Sequence, residues 1–270
     1  MSAALLQHEA WFRLSVFVGG LLLLALLERL IPRRRRLPYW PRWAHNLALS
    51  AVSTLALRLA IPLAASAFAA IIAALGIGLF NRLSWPFWIE ALISIAALDA
   101  AIYGQHRLMH RYAWLWRLHR VHHSDTGFDV SLAVRFHPFE MVLSMVYKLA
   151  VIAALGAAPV VVAVYESLLL AFALWTHGNI ALPAGIDQAL RRCLVTPEMH
   201  RIHHSVVRAE TDSNYGNILS LWDRLFGSYV NQAKGAPADM LIGLDQFRPP
   251  AEQRLTALLA QPFRRAPDRS

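Results

Sequence analysis

With 57% hydrophobic and only 16% charged residues, the 270-residue chain is more apolar than an average soluble domain, and its positive mean hydropathy of +0.40 favours an integral membrane protein. The net charge of +9 is carried almost entirely by arginine and fits either a nucleic-acid or a membrane-surface partner. The single cysteine, Cys193, excludes an internal disulfide, a cysteine-based zinc finger and an iron–sulfur cluster, so metal ligands would have to be nitrogen and oxygen.

The first apolar run, residues 12–31, has the length of about 20 residues that a membrane-spanning helix needs. A cleaved signal peptide fits less well, because positive charge is scarce before the run, no small-residue cleavage site follows it, and it ends in the arginines of residues 33–36. We predict a retained anchor with its arginine block in the cytosol, followed by a Pro- and Trp-rich interfacial link, together occupying residues 1–45.

Two further apolar regions precede the histidines. Residues 46–80 are too long for one upright span, so we expect a span that is bent near Pro62 and followed by a glycine-containing turn. Arg58 in this region must either reach the interface or pair with a carboxylate inside the bundle. Residues 85–104 form the next predicted span and lead directly to His106.

A second long apolar block, residues 139–176, has the sequence GAAP in its middle, which predicts two antiparallel spans joined by a tight turn. His137 and His177 stand at the two ends of this hairpin and are therefore expected at the same membrane face. Lys148 falls inside the first of these spans, and the sequence does not explain it. Residues 231–270 indicate a polar linker and a short amphipathic helix, which we assign to a cytosolic C-terminal tail.

These segments predict an all-α integral membrane fold with about four transmembrane helices and a cytosolic histidine-rich helical cap. The catalytic domain is assigned to residues 46–230, between the anchor and the tail. If the arginine block is cytosolic, the alternating spans place ten histidines on the cytosolic side, and the loops on the far side hold only Arg82. This bias follows the positive-inside rule, so membrane topology explains the arginines better than nucleic-acid binding does.

Histidine carries the strongest signal in the sequence. Ten of the 12 histidines lie between positions 106 and 204, where an even distribution would place about four. In HRLMH and in the two H-x2-H-H groups, the spacing brings the rings toward one face of a helix. Neutral imidazole is the commonest metal ligand, whereas packed imidazoles without a metal would leave buried donors and acceptors unpaired. The predicted metal ligands are His106, His110, His119, His122, His123, His137, His177, His200, His203 and His204.

A lone histidine is more often a hydrogen-bonded core residue than a ligand, and this alternative is strongest for the isolated His137 and His177. Ten nitrogen ligands suit a pair of metal ions with about five each and an open position for a small ligand. Imidazole binds Zn, Cu, Fe and Ni, so the metal stays open at this point. The sequence contains neither the H-E-x-x-H of zinc proteases nor the Glu-x-x-His of soluble di-iron bundles. An all-histidine metal pair above apolar helices favours redox chemistry on a lipid chain over hydrolysis.

The sequences HRLMH, LWRLHRVHHSD, RFHP, HGN, HRIHHS and NYGN with WDRLFG, in this order, resemble the fatty acid hydroxylase/sterol desaturase superfamily from about Asp99 to Tyr229. The resemblance implies an integral membrane non-haem di-iron oxygenase with two Fe ions, for which zinc can substitute in purified material, and with O2 as co-substrate. It implies a membrane lipid substrate and a separate electron donor of the cytochrome b5, ferredoxin or reductase type. The HPGG haem motif of relatives with a fused cytochrome b5 is absent, since His137 is followed by Pro-Phe-Glu. The ten histidines match the superfamily's boxes and its single extra histidines.

Several polar residues are candidates for accepting the second ring N–H of a ligand histidine, which would fix the tautomer of that ring. They are Asp99, Asp125, Asn179, Asn214 and Asp223. Each also has an ordinary structural alternative, such as a turn-forming role for Asn214 or a capping role for Asp223.

The sequence therefore predicts an O2-dependent di-iron lipid hydroxylase or desaturase that acts on a fatty acyl, sterol or related chain. We expect a multi-pass protein of a bacterial inner membrane, or of the endoplasmic reticulum in a eukaryote. The alternative is a histidine-rich membrane metal transporter or metal-binding protein. Transport sites generally lie near the bilayer midplane, whereas these histidines are predicted at one face, which disfavours the alternative.

Overall fold

The computed structural model describes residues 6–34, 39–235 and 240–265. Arg35 and Arg36, half of the predicted arginine block, lie outside the described residues. The regular secondary structure of the described part is helical, and only three isolated β-bridges occur there. The predicted all-α class is confirmed.

Long apolar helices form the bundle. In the described part of the chain, five regions are long and apolar enough to cross a membrane: α1 (Glu9–Leu30), α2 and α3 together (Tyr39–Ala60 and Ala65–Ala74), α4 (Phe87–Arg111), α6 (Pro138–Leu155) and α7 (Pro159–Thr176). Their outer faces expose large apolar side chains, including Leu22, Leu59 and Leu92. Such a surface suits lipid rather than water, and the chain is a membrane protein.

Short helices form a cap at the end of the bundle where α4 ends and α6 begins. They are α5 (Ala113–His123), α8 (Ala184–Leu190), α9 (Pro197–His203), α10 (Arg208–Thr211), α11 (Leu221–Leu225) and α12 (Leu255–Ala260), with 3₁₀ turns at Val130–Val134, Pro250–Gln253 and Gln261–Phe263.

Proline and glycine set the boundaries of the long helices. The chain bends between α2 and α3, around Pro62, whose ring and missing N–H interrupt a helix. Gly156 ends α6 in the left-handed conformation with φ +67°, and Pro159 opens α7 at a position where no N–H is needed. The bent second span and the tight turn of the hairpin are therefore where the sequence predicts them.

Apolar packing joins the helices laterally. The main core lies between α3, α4, α6 and α7 and contains the fully buried Leu98, Ile152 and Val162. The anchor helix α1 packs against α7 through Leu24 and Leu174. The anchor is thus part of the bundle.

Buried polar contacts fasten the cap to the bundle. The side chain of Arg135 is fully buried and donates to Asn46 Oδ1 on α2, to the carbonyl oxygen of Val121 on α5 and to Gln253 Oε1, each at 2.8–2.9 Å. Leu258 of α12 packs against Leu49 and Val121. The predicted C-terminal tail therefore packs against α2 and α5 over residues 250–263, and the division of the chain into domains stays a prediction.

The two turns at the far end of the bundle lie against each other. Gly78 has a φ of +97°, and a Cβ atom on it would lie 2.3 Å from the backbone nitrogen of Gly156. Backbone hydrogen bonds from Leu79 and Phe80 to Ala154 and Leu155 join the same two turns. Only glycine satisfies both the backbone angle and the contact at position 78.

We expect Gly78→Ala to lower the free energy of unfolding by about 2 kcal/mol or more, because alanine is strained at this φ and its methyl group would overlap Gly156. The thermal unfolding midpoint in detergent measures the effect. Gly185→Ala is the matched control, since a Cβ atom there has no neighbour within 4 Å. Equal midpoints for the two variants would contradict the role assigned to Gly78.

Candidate metal centre

Nine histidines converge where the cap meets the bundle. The end of α4 carries His106 and His110, and α5 carries three more rings within five residues. His177 follows the last residue of α7, and α9 with its C-cap carries the HRIHH sequence. All of these side chains except the half-buried His106 are buried.

The rings form two adjacent groups, in each of which one potential ligand atom per residue lies within 4.8 Å of all the others. The first group is His106, His110, His119, His123 and His203, and the second is His122, His177, His200 and His204. Neighbouring residues such as His122 and His123 enter different groups, because successive helical residues point about 100° apart. The rings of His123 and His204 stack with centroids 4.5 Å apart and so connect the two groups.

Backbone carbonyl groups fix the tautomers of several rings. The Nδ1–H groups of His106, His203 and His177 donate to the carbonyl oxygens of Tyr215, Ser213 and Ala173 at 2.7–2.8 Å. A carbonyl oxygen can only accept, so the proton of each neutral ring is on Nδ1 and the lone pair is on Nε2. Metal-ligating histidines have this arrangement.

Two carboxylates hold two other rings through Nδ1. His119 Nδ1 lies 2.7 Å from Glu140 Oε1, and His110 Nδ1 lies 3.2 Å from Asp212 Oδ1. A carboxylate that accepts the second ring N–H orients the imidazole and raises its basicity as a ligand.

The remaining ring nitrogens have the environment of metal ligands. His106 Nε2, His203 Nε2 and both ring nitrogens of His123 are buried without a hydrogen-bond partner in the described structure. In the second group, successive Nε2 atoms are only 3.1, 3.1 and 3.3 Å apart along the chain of contacts from His122 through His177 and His200 to His204. Ligands at about 2.1 Å from one ion and at right angles to each other are about 3.0 Å apart. An unpaired buried polar atom costs about 1–3 kcal/mol, so these residues fit metal ions.

Burial keeps six of the rings outside the spans neutral. It lowers the pKa of His122, His123 and His200 well below the usual value, and it lowers the pKa of His177 to about 4. The pKa values of His203 and His204 are lowered for the same reason. Proximity of the other rings adds to the effect. Neutral rings keep the lone pairs that a metal needs.

The structure does not bring His137 to either group. Its Nδ1 accepts a hydrogen bond from the backbone N–H of Phe139 at 3.3 Å, and its Nε2 lies 3.2 Å from the carbonyl oxygen of Leu259. Because Pro138 starts α6, His137 is the N-cap residue of that helix, and its side chain caps the helix end.

The side chains expected to hold ligand rings have other partners. Asp99 accepts from Trp222 Nε1, and Asp125 is 3.3 Å from Arg42 Nε. Asn179 bonds to the backbone of Arg34, and Asn214 bonds to the backbone of Met199 and Val230. Asp223 accepts from the backbone N–H groups of Tyr215 and Gly216. In the described part of the chain, no hydrogen bond of these five residues reaches a ring of the two groups.

Other side chains at the site were not predicted. Glu140 and Asp212 hold rings directly, Phe136 stacks on His122 with centroids 4.6 Å apart, and Trp116 packs against His110. Glu140 follows RFHP in the sequence, so a search for carboxylates beside the histidine motifs could have found it. The two aromatic residues give no comparable signal.

An elongated cavity of about 420 Å³ begins at the histidines and extends into the bundle. His106, His119, His122, His177 and His200 line its end at the cap. Apolar residues including Ile102, Met145, Leu169 and Leu170 line its walls. The volume lies in the range of sites that enclose one small-molecule ligand.

The family model described as fatty acid hydroxylase matches residues 91–228, which is just over half of the chain. The chain belongs to the fatty acid hydroxylase family. Membership confirms the superfamily indicated by the histidine motifs and makes the chain an oxidoreductase of the lipid hydroxylase or desaturase type. The family consists of non-haem iron oxygenases, and the histidine cluster of this member is able to hold metal.

Curated relatives belong to the same superfamily. Ornithine lipid hydroxylase OlsE of Rhizobium tropici is 29% identical over 269 residues, covering 96% of this chain and 77% of the relative. Alkylglycerol monooxygenase of Danio rerio is 31% identical over 150 residues, covering 56% of this chain and 32% of the relative. Delta(7)-sterol 5(6)-desaturase erg3B of Aspergillus fumigatus is 29% identical over 156 residues, covering 56% of this chain and 40% of the relative.

The chain spans about a third of the length of the vertebrate alkylglycerol monooxygenases. No solved structure matches it at comparable significance. The relatives are lipid hydroxylases, monooxygenases and a desaturase, so the metal-transporter alternative is not favoured.

We expect Glu140→Ala to reduce metal affinity about 10–100-fold, because the ring of His119 loses the carboxylate that orients it. Anaerobic titration of the purified protein with Fe(II) measures this affinity. Glu252→Ala is the control, since Glu252 pairs with Arg264 at an exposed site away from the rings. Equal affinities for wild type and Glu140→Ala would contradict the role of this carboxylate.

Proposed function

We propose that this protein uses O2 to hydroxylate or desaturate a fatty acyl, sterol or related lipid chain, with two iron ions held by nine histidines. The observation that carries the proposal is that a group of five and a group of four imidazoles meet at the cap end of a largely apolar cavity in a membrane bundle. Lone pairs converging in two adjacent groups suit two ions, and an apolar cavity suits an alkyl chain.

The two groups differ in a way that suggests their roles. The second group has one ligand fewer, and three of its four rings, those of His122, His177 and His200, line the cavity. We assign to it the open coordination position that faces O2 and substrate. His137 is left out of the ligand set, because its ring caps α6.

The residues of the chain position the reactants and exclude water. Bound iron supplies the oxidising power that an unactivated C–H bond requires. Glu140 and Asp212 hold the rings of His119 and His110 in place, and the carbonyl groups of Tyr215 and Ser213 hold those of His106 and His203. The apolar cavity walls keep the substrate chain at the histidines and keep bulk water away from it.

We propose that electrons come from a separate donor at the cytosolic face. Hydroxylation places one atom of O2 in the C–H bond and reduces the other to water, which consumes two electrons and two protons. The sequence has neither a C-x2-C-H nor an HPGG haem motif, and its single cysteine cannot hold an iron–sulfur cluster. The exposed Arg107, Arg111 and Arg117 lie among the histidine-bearing helices, and the positive-inside rule supports a cytosolic location for them.

Comparative lipid mass spectrometry tests the reaction. Cells that express the protein are expected to gain a lipid that is heavier by one oxygen atom or lighter by two hydrogen atoms, and only in the presence of O2. His122→Ala and His203→Ala should abolish the product while the protein still inserts, because each removes one ligand from a different group. Full product formation in either variant would contradict the assigned mechanism.

Metal content tests the ligand set separately. The wild-type protein, purified without chelators, is expected to hold two iron ions per chain, and His203→Ala should lose at least one of them. His137→Ala is the control, since this ring contacts Phe139 and Leu259 and should leave the metal content unchanged. Elemental analysis measures both variants, and an equal loss from both would contradict the nine-ligand set.

A further inference from the structure

A cluster of charged side chains lies inside the bundle, toward the end away from the histidines. Lys148 Nζ on α6 is 2.5 Å from Glu166 Oε1 on α7, and Arg13 Nη1 on α1 is 3.2 Å from Glu166 Oε2. Arg13 also lies 3.7 Å from Glu9, which accepts a hydrogen bond from Ser66 at the start of α3. Four charges from three helices are therefore in direct contact.

The cluster lies far from the end of the α6–α7 hairpin that carries the histidines. Lys148 is 11 residues beyond His137, and Glu166 is 11 residues before His177. At 1.5 Å per helical residue, both lie about 16 Å along the helix axes from the end that carries the histidines. Ionisable groups at such depth in a membrane bundle are costly and commonly belong to a substrate or ion pathway.

The cluster and the histidines line opposite ends of the same cavity. Arg13, Lys148 and Glu166 line the deep end, and the histidine groups line the other end. The wall between them is largely apolar. An ion pair that only locked helices together would not need to face the cavity that leads to the metal ligands.

Exposure shows which part of the cluster can take a ligand. The side chain of Glu166 is only 3% exposed, whereas that of Lys148 is 10% and that of Arg13 is 29% exposed. Arginine has five N–H donors and lysine has three, and the two carboxylates do not occupy all of them. The deep end of the cavity therefore offers hydrogen-bond donors to a group that accepts.

The charges of the cluster limit which kind of ligand group can bind there. The two cations in direct contact, Arg13 and Lys148, are matched by the carboxylates of Glu9 and Glu166. Arg58 adds a positive charge near Glu166, without a salt bridge to it in the described structure. A carboxylate or phosphate on the ligand would contact only cations that are already paired with a carboxylate, which is unfavourable inside the bundle. An uncharged oxygen acceptor, such as a hydroxyl, amide or ester carbonyl, adds no charge.

We propose that Arg13 and Lys148 bind an uncharged, oxygen-bearing group on a lipid chain. The lipid has either one chain or several, of which one enters the cavity, and the rest of that chain reaches the histidines. The binding of this group is inferred from the cavity alone, whereas its effect on the position of oxidation rests on the proposed function. The fixed separation between the two ends of the cavity then determines which carbon is oxidised.

Binding of three single-chain probes tests the polar binding site formed by Arg13 and Lys148 without turnover. Purified protein in lipid nanodiscs is titrated with stearamide, stearate and octadecane in competition with a fluorescent alkyl amide. Wild type is expected to bind stearamide about 10-fold more tightly than octadecane, as for a hydrogen bond to a charged group, and more tightly than stearate. Equal affinity for stearamide and octadecane, or tighter binding of stearate, would overturn the proposal.

Substitutions separate binding from helix locking. The Lys148→Met/Glu166→Gln variant removes the ion pair with little change of volume, and such replacements of buried pairs are often tolerated. It should keep the unfolding midpoint of wild type and lose the preference for stearamide. Arg13→Gln leaves the Lys148–Glu166 pair intact and should lose most of the preference, so it decides the question if the double variant does not fold. Val146→Leu, at an exposed α6 position outside the cavity, is the control.

The position of oxidation gives the second readout. In cells that form the oxidised lipid, Arg13→Gln should spread the new hydroxyl group or double bond over neighbouring carbons, as tandem mass spectrometry of the lipid shows. Retention of both the stearamide preference and a single product position in Arg13→Gln would overturn the proposal. Absence of product from wild type would count against the proposed function, while the probe affinities would still decide whether Arg13 and Lys148 form a polar binding site.

Discussion

The convergence of nine imidazoles, eight of them buried, is the constraint on which the rest of this structure depends. Five of the rings are held through Nδ1, three by backbone carbonyl groups and two by carboxylates. In the described structure, Nδ1 of His122, His123 and His200 has no hydrogen-bond partner. The turn around Asn214 shows how the backbone places two of these acceptors. Asn214 takes a φ of +51°, and Asp223 binds the two N–H groups that follow it, so that the carbonyl oxygens of Ser213 and Tyr215 face two rings.

The sequence predicts the chemistry of the site better than its supporting contacts. Spacing alone brought together the rings of HRLMH and of both H-x2-H-H groups, because helical geometry determines where they point. It could not show that His137 lies apart from the other nine rings, since that depends on where α6 begins. The sequence predicts supporting acceptors among Asp and Asn side chains, whereas three of the five observed acceptors are backbone carbonyl groups, which every residue has.

Contacts between distant segments explain what else the sequence could not show. The lengths of apolar runs, Pro62 and the GAAP turn predict the long helices and their breaks. The partner of Lys148 is Glu166 on the next helix, and Arg13 comes from the first, so the charged cluster exists only once three helices pack. In the same way, Leu258 gives no sign in the sequence that it will be buried beside Val121.

The contacts of residues 253–262 with α5 have a consequence for the order in which the site is assembled. Gln253 and Gln261 bond to Ser124, and Arg117 and Arg120 of α5 donate to the carbonyl oxygens of Pro262 and Gln261. These contacts can form only once residues 253–262, about 130 positions beyond His123, have left the ribosome. The helix that carries His119, His122 and His123 therefore emerges long before the segment that secures it.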